Sequence, residues 1–212
     1  MAPEHETVIN HQGREIAIIP AQSSHHKSSQ DIPQLTGFTM RQANVDDIQT
    51  MQWIASVTFE DTFAGTAAQR DMDDFVAQAF SREALLRELE NAKMHHFFLI
   101  NDESDEVAAL LKFNDSGAQT EEGENIPSHS LEIQRLYVMT AYKGHKLGSY
   151  LMNYALEYGK RHGYEQCWLG VWEYNYAAQE FYKNWGFERF SEHSFMVGED
   201  NQTDFLFKRA IR

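Results

Sequence analysis

The sequence of 212 residues contains a single cysteine, Cys167, and no apolar run that approaches the roughly 20 residues needed to cross a bilayer. A lone thiol cannot form an internal disulfide, and it removes the paired thiols of most structural zinc sites. The first residues also lack the basic and apolar regions of a secretory signal peptide. From these absences we expect a cytoplasmic protein without a membrane anchor.

Positive charge is scarce as well, with 18 Lys and Arg against 32 Asp and Glu and a formal net charge of -14. A nucleic-acid partner is therefore not expected, because a phosphate backbone demands a basic surface. The negative charge can attract cationic substrates, or it can merely keep the protein soluble. The ten histidines show no His-x-x-x-His spacing, so we predict no metal site.

The composition divides the chain into a tail and one domain. Residues 1–36 are rich in Gln, Ser and His, and we interpret them as a flexible tail with one short strand at 15–19. Residues 37–212 are long enough for one domain with a full core. Residues 114–129 form an acidic loop of a length that often serves function.

Apolar periodicity within the domain predicts alternating strands and helices. The predicted strands cover 38–42, 96–100, 107–113, 131–138, 164–171, 187–196 and 203–209. The predicted helices cover 44–59, 69–92 in two pieces that meet near Ser81, 147–162 and 175–185. Strand and helix alternate along the second half, which favours an α/β sheet covered on both faces.

A glycine-containing corner joins the strand that ends at Val138 to the helix that starts near Leu147. Backbone N–H groups at a helix start have no intrahelical partner and lie at the positive end of the helix dipole, so such a corner suits a pyrophosphate. Lys143 and Lys146 add positive charge there. An ordinary loop remains the alternative, and a dinucleotide site is disfavoured because the chain has no Gly-x-Gly-x-x-Gly.

A second pattern lies in the next helix, where Asn175, Ala178 and Tyr182 have spacings that place them on one face. Taken singly, Asn175 is explained by a helix cap and Tyr182 by the core. Their position one strand after the phosphate corner favours a shared ligand instead.

These two segments resemble the GNAT superfamily of N-acetyltransferases. Lys143–Gly148 is similar to its pyrophosphate motif Arg/Gln-x-x-Gly-x-Gly/Ala, with Lys143 for the usual Arg or Gln and Lys146 for the first motif glycine. The second departure requires the Lys146 side chain to point away from the phosphates. Trp168–Phe187 is similar to the signature Val-x-x-x-Asn-x-x-Ala-x-x-Phe-Tyr-x-x-x-Gly-Phe.

The resemblance implies an α/β (α+β) GNAT fold, with a central mixed, mostly antiparallel twisted sheet of about seven strands and helices on both faces. It also implies acetyl-CoA as cofactor, the Asn175 amide on its pantetheine arm, and Tyr182 near the thioester sulfur. The implied cofactor-binding residues are Leu136, Tyr137, Val138, Lys143, Gly144, His145, Lys146, Leu147, Gly148, Ser149, Asn175, Ala178 and Tyr182.

A narrower resemblance covers nearly the whole domain. Four segments look like the bacterial Pai-type spermine/spermidine N-acetyltransferases, namely Thr58–Phe63, Ser130–Val138, Trp168–Glu173 and His193–Asp204. The last, with its Gln-Thr-Asp, is the least common in the superfamily. The implied activity is acetylation of a small polyamine, often by a homodimer.

A polyamine nitrogen has a pKa of about 10, so the enzyme must remove a proton before the nitrogen can attack a thioester. GNAT enzymes carry out this attack directly in a ternary complex. We take Glu132 as the candidate base, the alternative being an outward-facing strand carboxylate. Tyr182 is the candidate acid for the departing thiolate, the alternative being a tyrosine that only shapes the pantetheine tunnel. Cys167 is assigned to the core.

Glu60 and Asp61, or the acidic loop at 121–124, are candidates to pair with the second ammonium of a polyamine. Three readings compete with this function. One is a GNAT enzyme acting on an antibiotic, an amino acid or a protein N-terminus. Another is a catalytically silent module that binds coenzyme A, and the third is a structural interaction protein.

Overall fold

The computed structural model describes residues 6–9, 15–18, 35–63, 69–121, 123, 125–197 and 200–211. Most of the predicted tail, 1–36, lies outside the described residues, so its flexibility stays a prediction. Strand β1 (Glu6–Ile9) pairs antiparallel with β2 (Glu15–Ile18) in a separate two-stranded sheet. β2 coincides with the short strand predicted at 15–19, whereas β1 was not predicted.

Seven strands form the main sheet in the order β3-β4-β5-β6-β7-β9-β8. Neighbouring strands are antiparallel except for β6 and β7, which are parallel. The predicted mixed, mostly antiparallel sheet is therefore confirmed. The strands are β3 (Phe38–Gln42), β4 (Met94–Asn101), β5 (Val107–Asn114), β6 (Ser130–Val138), β7 (Gln166–Trp172), β8 (Glu188–Val197) and β9 (Asp200–Ala210).

Five α-helices connect or flank these strands: α1 (Ile48–Phe63), α2 (Gln69–Ala79), α3 (Arg82–Glu90), α4 (Leu147–Arg161) and α5 (Tyr176–Asn184). The predicted break near Ser81 is present because the Ser81 hydroxyl accepts a hydrogen bond from the Ala84 N–H, at 3.2 Å, and so caps α3. Helix α1 extends one turn beyond the predicted end at Phe59, which packs at a ring distance of 4.9 Å on Phe75. No described helix is long and apolar enough to span a bilayer.

Apolar side chains cover both faces of the main sheet. Helices α4 and α5 pack on one face, with Leu151 and Ala155 fully buried. Helices α1 and α3 pack on the opposite face, with Ile54 and Leu85 fully buried. Burial of each large aliphatic side chain stabilises the fold by about 1.5–3 kcal/mol, so the two helix layers hold the sheet rigidly between them.

The parallel strands β6 and β7 separate after a short paired stretch. Their ladder runs from Ser130 opposite Gln166 to Glu132 opposite Trp168, and it does not continue along the rest of either fully described strand. A register shift on the β5 side of β6 skips Gln134, which marks a β-bulge. A bulge bends the strand that contains it and increases its local twist, so it turns the second half of β6 away from β7. The result is an opening between the two strands.

Candidate active site

The edge of β6 that faces this opening carries backbone donors that pair with no described strand. On the other edge, the Met139 N–H donates to the Ala108 carbonyl of β5, at 2.9 Å. Successive N–H groups alternate in direction along a strand, so those of Leu136 and Val138 face the opening instead. Such donors can hold an extended ligand or a carbonyl oxygen at this edge.

The corner that follows β6 leads to the start of α4 through two residues in the left-handed conformation, Gly144 at φ 87° and Lys146 at φ 61° and ψ 17°. Lys146 is the N-cap residue, and no side chain of the described residues caps the helix. The first N–H groups of α4, those of Leu147, Gly148 and Ser149, therefore remain available to an anion.

The exposed side chains at this corner are Lys143, His145 and Lys146. The His145 Nδ1 lies 3.2 Å from the Tyr142 carbonyl oxygen, which holds the imidazole against the preceding turn. The two lysines supply positive charge beside the free N–H groups. The corner therefore has both the donors and the charge that a pyrophosphate requires.

Gly148 joins the corner to the open edge of β6 and to α5. A Cβ at this position would lie 3.7 Å from Leu136 Cδ2, 3.7 Å from Phe181 Cζ and 3.8 Å from Val138 Cγ2. These are ordinary van der Waals contacts, so alanine would fit here. The corner, the end of β6 and helix α5 thus meet around one residue.

Asn175 caps α5 through its side-chain oxygen, which accepts a hydrogen bond from the Ala178 N–H at 3.1 Å. The cap uses the oxygen alone and leaves the Asn175 amide nitrogen as a donor. Gln179, on the next turn, donates to the Glu173 carbonyl at 2.7 Å and fixes the loop before the helix. The contact of Asn175 with a pantetheine arm stays a prediction.

Tyr182 is 9% exposed and packs edge-to-face on Phe181 and Phe187. Burial raises the pKa of the Tyr182 phenol well above its usual range, and the nearby Tyr137 and Cys167 raise it further. The phenol is therefore protonated at neutral pH, and its role as acid stays a prediction. Tyr137 belongs to β6, so the phenol lies within electrostatic range of the opening.

Cys167 is fully buried, and burial strongly raises the pKa of its thiol. A protonated thiol inside the core is a poor nucleophile. This agrees with the assignment of Cys167 to the core rather than to a covalent route.

An acyl carrier with a pyrophosphate and an extended arm fits these residues. The uncapped start of α4, with its lysines, suits the phosphates, and the open edge of β6 suits an amide-containing arm. The Acetyltransferase (GNAT) family matches residues 49–187, which include both segments. The chain belongs to the GNAT acetyltransferase family. It is thus an acyltransferase, and the acetyl donor of this family is acetyl-CoA.

Relatives across the whole domain agree with this assignment. An uncharacterised N-acetyltransferase of Lactobacillus delbrueckii subsp. lactis is 36% identical over 84% of this chain and 99% of its own length. A spermidine N(1)-acetyltransferase of Thermoplasma acidophilum is 23% identical over 80% of this chain and 95% of its own length.

Among solved structures, the PaiA N-acetyltransferase of Thermoplasma acidophilum in complex with coenzyme A has a TM-score of 0.65 at 20% identity, covering 82% of this chain and 98% of that one. A probable acetyltransferase of Staphylococcus epidermidis has a TM-score of 0.61 at 16% identity, covering 82% and 99%. At these identities the likeness shows the GNAT fold.

Glu132, the candidate base, is 2% exposed and lies where the β6–β7 ladder ends. Its carboxylate accepts hydrogen bonds from the Asn114 side chain at 2.8 Å and from both the N–H and the hydroxyl of Thr120. These contacts tie the acidic loop to the sheet. The carboxylate therefore has a structural task at the closed end of the opening, and its role as base stays a prediction.

The acidic pair on α1 lies near the opposite, open end of β6. The Thr140 hydroxyl, two residues after β6, donates to the Asp61 carboxylate at 3.1 Å. Glu60 is partly buried and Asp61 is exposed. At least one predicted amine-binding carboxylate is thus next to the strand that faces the opening.

A carboxylate that sequence reasoning did not select, Asp204, lies on the other side of the opening. Asp204 is opposite Trp172 of β7 and His193 of β8. Its Oδ2 lies next to Gly170, since a Cβ at that position would lie 3.3 Å from this oxygen. Its Oδ1 is buried without a hydrogen-bond partner among the described residues. The only signal in the sequence is the unusual Gln202-Thr203-Asp204 run.

Proposed function

We propose that this GNAT acetyltransferase transfers the acetyl group of acetyl-CoA to a primary amine of a small polyamine of the spermidine and spermine kind, by direct attack in a ternary complex. The Pai-type segments of the sequence support this acceptor. So does the relative in Thermoplasma acidophilum that is named a spermidine N(1)-acetyltransferase. We place the enzyme in the cytoplasm and expect a homodimer, which sedimentation at several concentrations tests.

The observation that carries the acceptor class is the hydrogen bond between Thr140 and Asp61, which holds a carboxylate beside the end of the open strand. A polyamine carries ammonium groups several ångströms apart, so an enzyme that acetylates one nitrogen needs an anionic partner for the next. Glu60 adds a second carboxylate on the same helix end. The net charge of -14 favours the approach of such a cation.

Acetyl-CoA supplies the acetyl group as a thioester. The corner from Lys143 to Ser149 would hold the pyrophosphate of the coenzyme. The N–H groups of Leu136 and Val138 would stabilise negative charge on a carbonyl oxygen in the opening. Tyr182, protonated at neutral pH, donates its proton to the leaving sulfur. Glu132 stands as the candidate proton acceptor. The side chains therefore contribute positioning, oxyanion stabilisation and proton transfer.

Turnover of acetyl-CoA with release of free thiol, measured across spermidine, spermine, putrescine, lysine and an aminoglycoside, tests this function. We expect saturable turnover with spermidine or spermine. Tyr182→Phe should lower kcat by about 10²-fold or more and leave coenzyme A affinity unchanged, because only the proton donor is lost. Tight coenzyme A binding without turnover on any amine would refute the proposal.

The acidic pair is tested separately by the double variant Glu60→Gln with Asp61→Asn. We expect the KM for spermidine to rise much more than the KM for acetyl-CoA, because an ammonium partner is removed. Asp102→Asn with Glu103→Gln, an adjacent acidic pair in the exposed turn between β4 and β5, is the matched control. An equal response of both double variants would exclude Glu60 and Asp61 from the amine site.

A further inference from the structure

The segment of β7 beyond Trp168 is no longer paired with β6, and it forms the second wall of the opening. Gly170 in this segment is exposed despite its place in the middle of the sheet. A Cβ at Gly170 would lie 3.3 Å from Asp204 Oδ2, so the Asp204 carboxylate of β9 borders the open space over this glycine. A carboxylate therefore reaches the wall of the opening from the side opposite β6.

The Asp204 carboxylate has too few hydrogen bonds to offset the cost of its burial. Oδ1 makes no hydrogen bond within the described part of the chain, although it is inaccessible to water. Such an oxygen costs free energy unless a ligand donates to it. By contrast, Glu132 accepts its hydrogen bonds from Asn114 and Thr120.

The charged and titratable groups that act on Asp204 among the described residues come from three elements. His193 of β8 favours the carboxylate form of Asp204, and Glu121 of the acidic loop opposes it. These two groups also contact each other, since His193 Nδ1 lies 3.5 Å from Glu121 Oε1. Tyr137 of β6 is close enough for Asp204 to affect its phenol. Burial dominates and raises the pKa of Asp204 to about 6.

Tyr137 connects the two chemically active groups. Tyr137 lies on the face of the sheet that α1 and α3 cover, within electrostatic range of Asp204. It is also within electrostatic range of Tyr182, which packs on the opposite face with α4 and α5. Groups on opposite faces can act on one reacting centre here because the separated strands leave a passage between them.

On this basis, and resting on the acetyltransferase activity toward amines proposed above, we propose that Asp204 binds the ammonium of the acceptor and, in place of Glu132, takes a proton from its nitrogen. The nitrogen then forms a bond to the acetyl carbon as the carbon–sulfur bond breaks. Two protons leave the nitrogen in total. One passes through Asp204 to solvent, and the other replaces the proton that Tyr182 gives to the sulfur.

The test compares Asp204→Asn with Glu132→Gln in the full chain, by the pH dependence of kcat/KM for spermidine and by calorimetric titration with coenzyme A. The exposed Glu192→Gln, from the neighbouring strand β8, is the control. We expect Asp204→Asn to lower kcat/KM by about 10²-fold or more, to abolish the rise with an apparent pKa near 6, and to keep coenzyme A affinity within twofold. Asp204→Glu should restore part of the activity.

Each contrary result has its own meaning. If the wild type acetylates spermidine but Asp204→Asn keeps kcat/KM within threefold, the role of Asp204 is refuted and the proposed function stands. The role is also refuted if Glu132→Gln alone removes the low-pH rise, or if Asp204→Asn loses coenzyme A affinity in parallel with activity. If the wild type binds coenzyme A and acetylates no amine, the proposed function itself fails.

Discussion

The Lys112 ammonium lies 2.6 Å from Glu88 Oε1, inside the layer between α3 and the sheet. The same carboxylate also accepts two hydrogen bonds from Arg135 at 3.0 Å and lies 3.0 Å from His96 Nε2. Burial alone would raise the pKa of Glu88, but His96, Arg135 and Lys112 outweigh it and hold that pKa well below its usual range. One carboxylate therefore joins side chains from β4, β5 and β6, and fixes α3 on β6 two residues before Tyr137.

Replacing Glu88 with Gln should destabilise the protein by about 3 kcal/mol, because it leaves buried cations without a counterion. Lys112→Met is the contrasting variant. Burial lowers the pKa of Lys112 to about 7, so its removal relieves a desolvation cost, and Arg135 keeps its partner. We expect Lys112→Met to change the free energy of unfolding by about 1 kcal/mol or less. Urea denaturation at pH 7 measures the free energy of unfolding of both variants, and an equal loss of stability in the two would contradict this interpretation.

The order of strands and helices could be predicted from local periodicity, because apolar spacing depends on residues a few positions apart. The break at Ser81 illustrates this, since its cap involves only the next turn. The site motifs are local in the same sense. The corner before α4 and the helix after Asn175 can each be recognised from one short segment of sequence. The two motifs come together because they follow the neighbouring strands β6 and β7.

Asp204 could not be selected in this way, because its environment is made by distant segments. Its neighbours come from β7, β8 and the acidic loop, which are far apart in the sequence. Nothing within a few residues of Asp204 shows that Gly170 leaves space for it or that β6 and β7 separate there. The cap role of Asn175, which is local, was weighed from the sequence, and the structure shows that the cap is made.

The left-handed backbone of Lys146 was also missed, although its mismatch with the motif glycine was a signal. The left-handed conformation costs a non-glycine residue about 1–2 kcal/mol of folding free energy. Glycine avoids this strain, but it loses more conformational entropy on folding, which offsets part of the gain. We therefore expect Lys146→Gly to stabilise the protein by about 0.5–1 kcal/mol. Lys146→Ala keeps the left-handed position and should leave stability unchanged. Thermal unfolding of both variants checks this, and equal shifts would refute the strain.

Asn175 has two candidate tasks that one pair of variants separates. Asn175→Asp keeps an oxygen that caps α5 and loses the amide donor, so stability should stay within about 0.5 kcal/mol of the wild type. Asn175→Ala loses the cap as well and should cost about 1 kcal/mol. If the amide donates to the pantetheine arm, both variants weaken coenzyme A binding, which calorimetry measures. Unchanged affinity in Asn175→Asp would leave Asn175 as a cap alone.

Asp204 should lower stability at the pH at which the enzyme works. Its pKa of about 6 in the folded chain exceeds its ordinary value of 3.8, so the folded state binds more protons than the unfolded state between these values. Stability therefore falls as the pH rises through this window, and the loss is complete above it. Asp204→Asn removes the charge and should raise the free energy of unfolding by about 1–2 kcal/mol at pH 8.

At pH 4 most of that gain should disappear, because Asp204 is then largely protonated in the folded chain. Urea denaturation at the two pH values gives the difference, with the exposed Glu192→Gln as the control. A variant that is more stable and less active would identify Asp204 as a group kept for catalysis at the expense of the fold. A loss of stability at pH 8 would instead make Asp204 a structural residue, held by contacts that outweigh its burial.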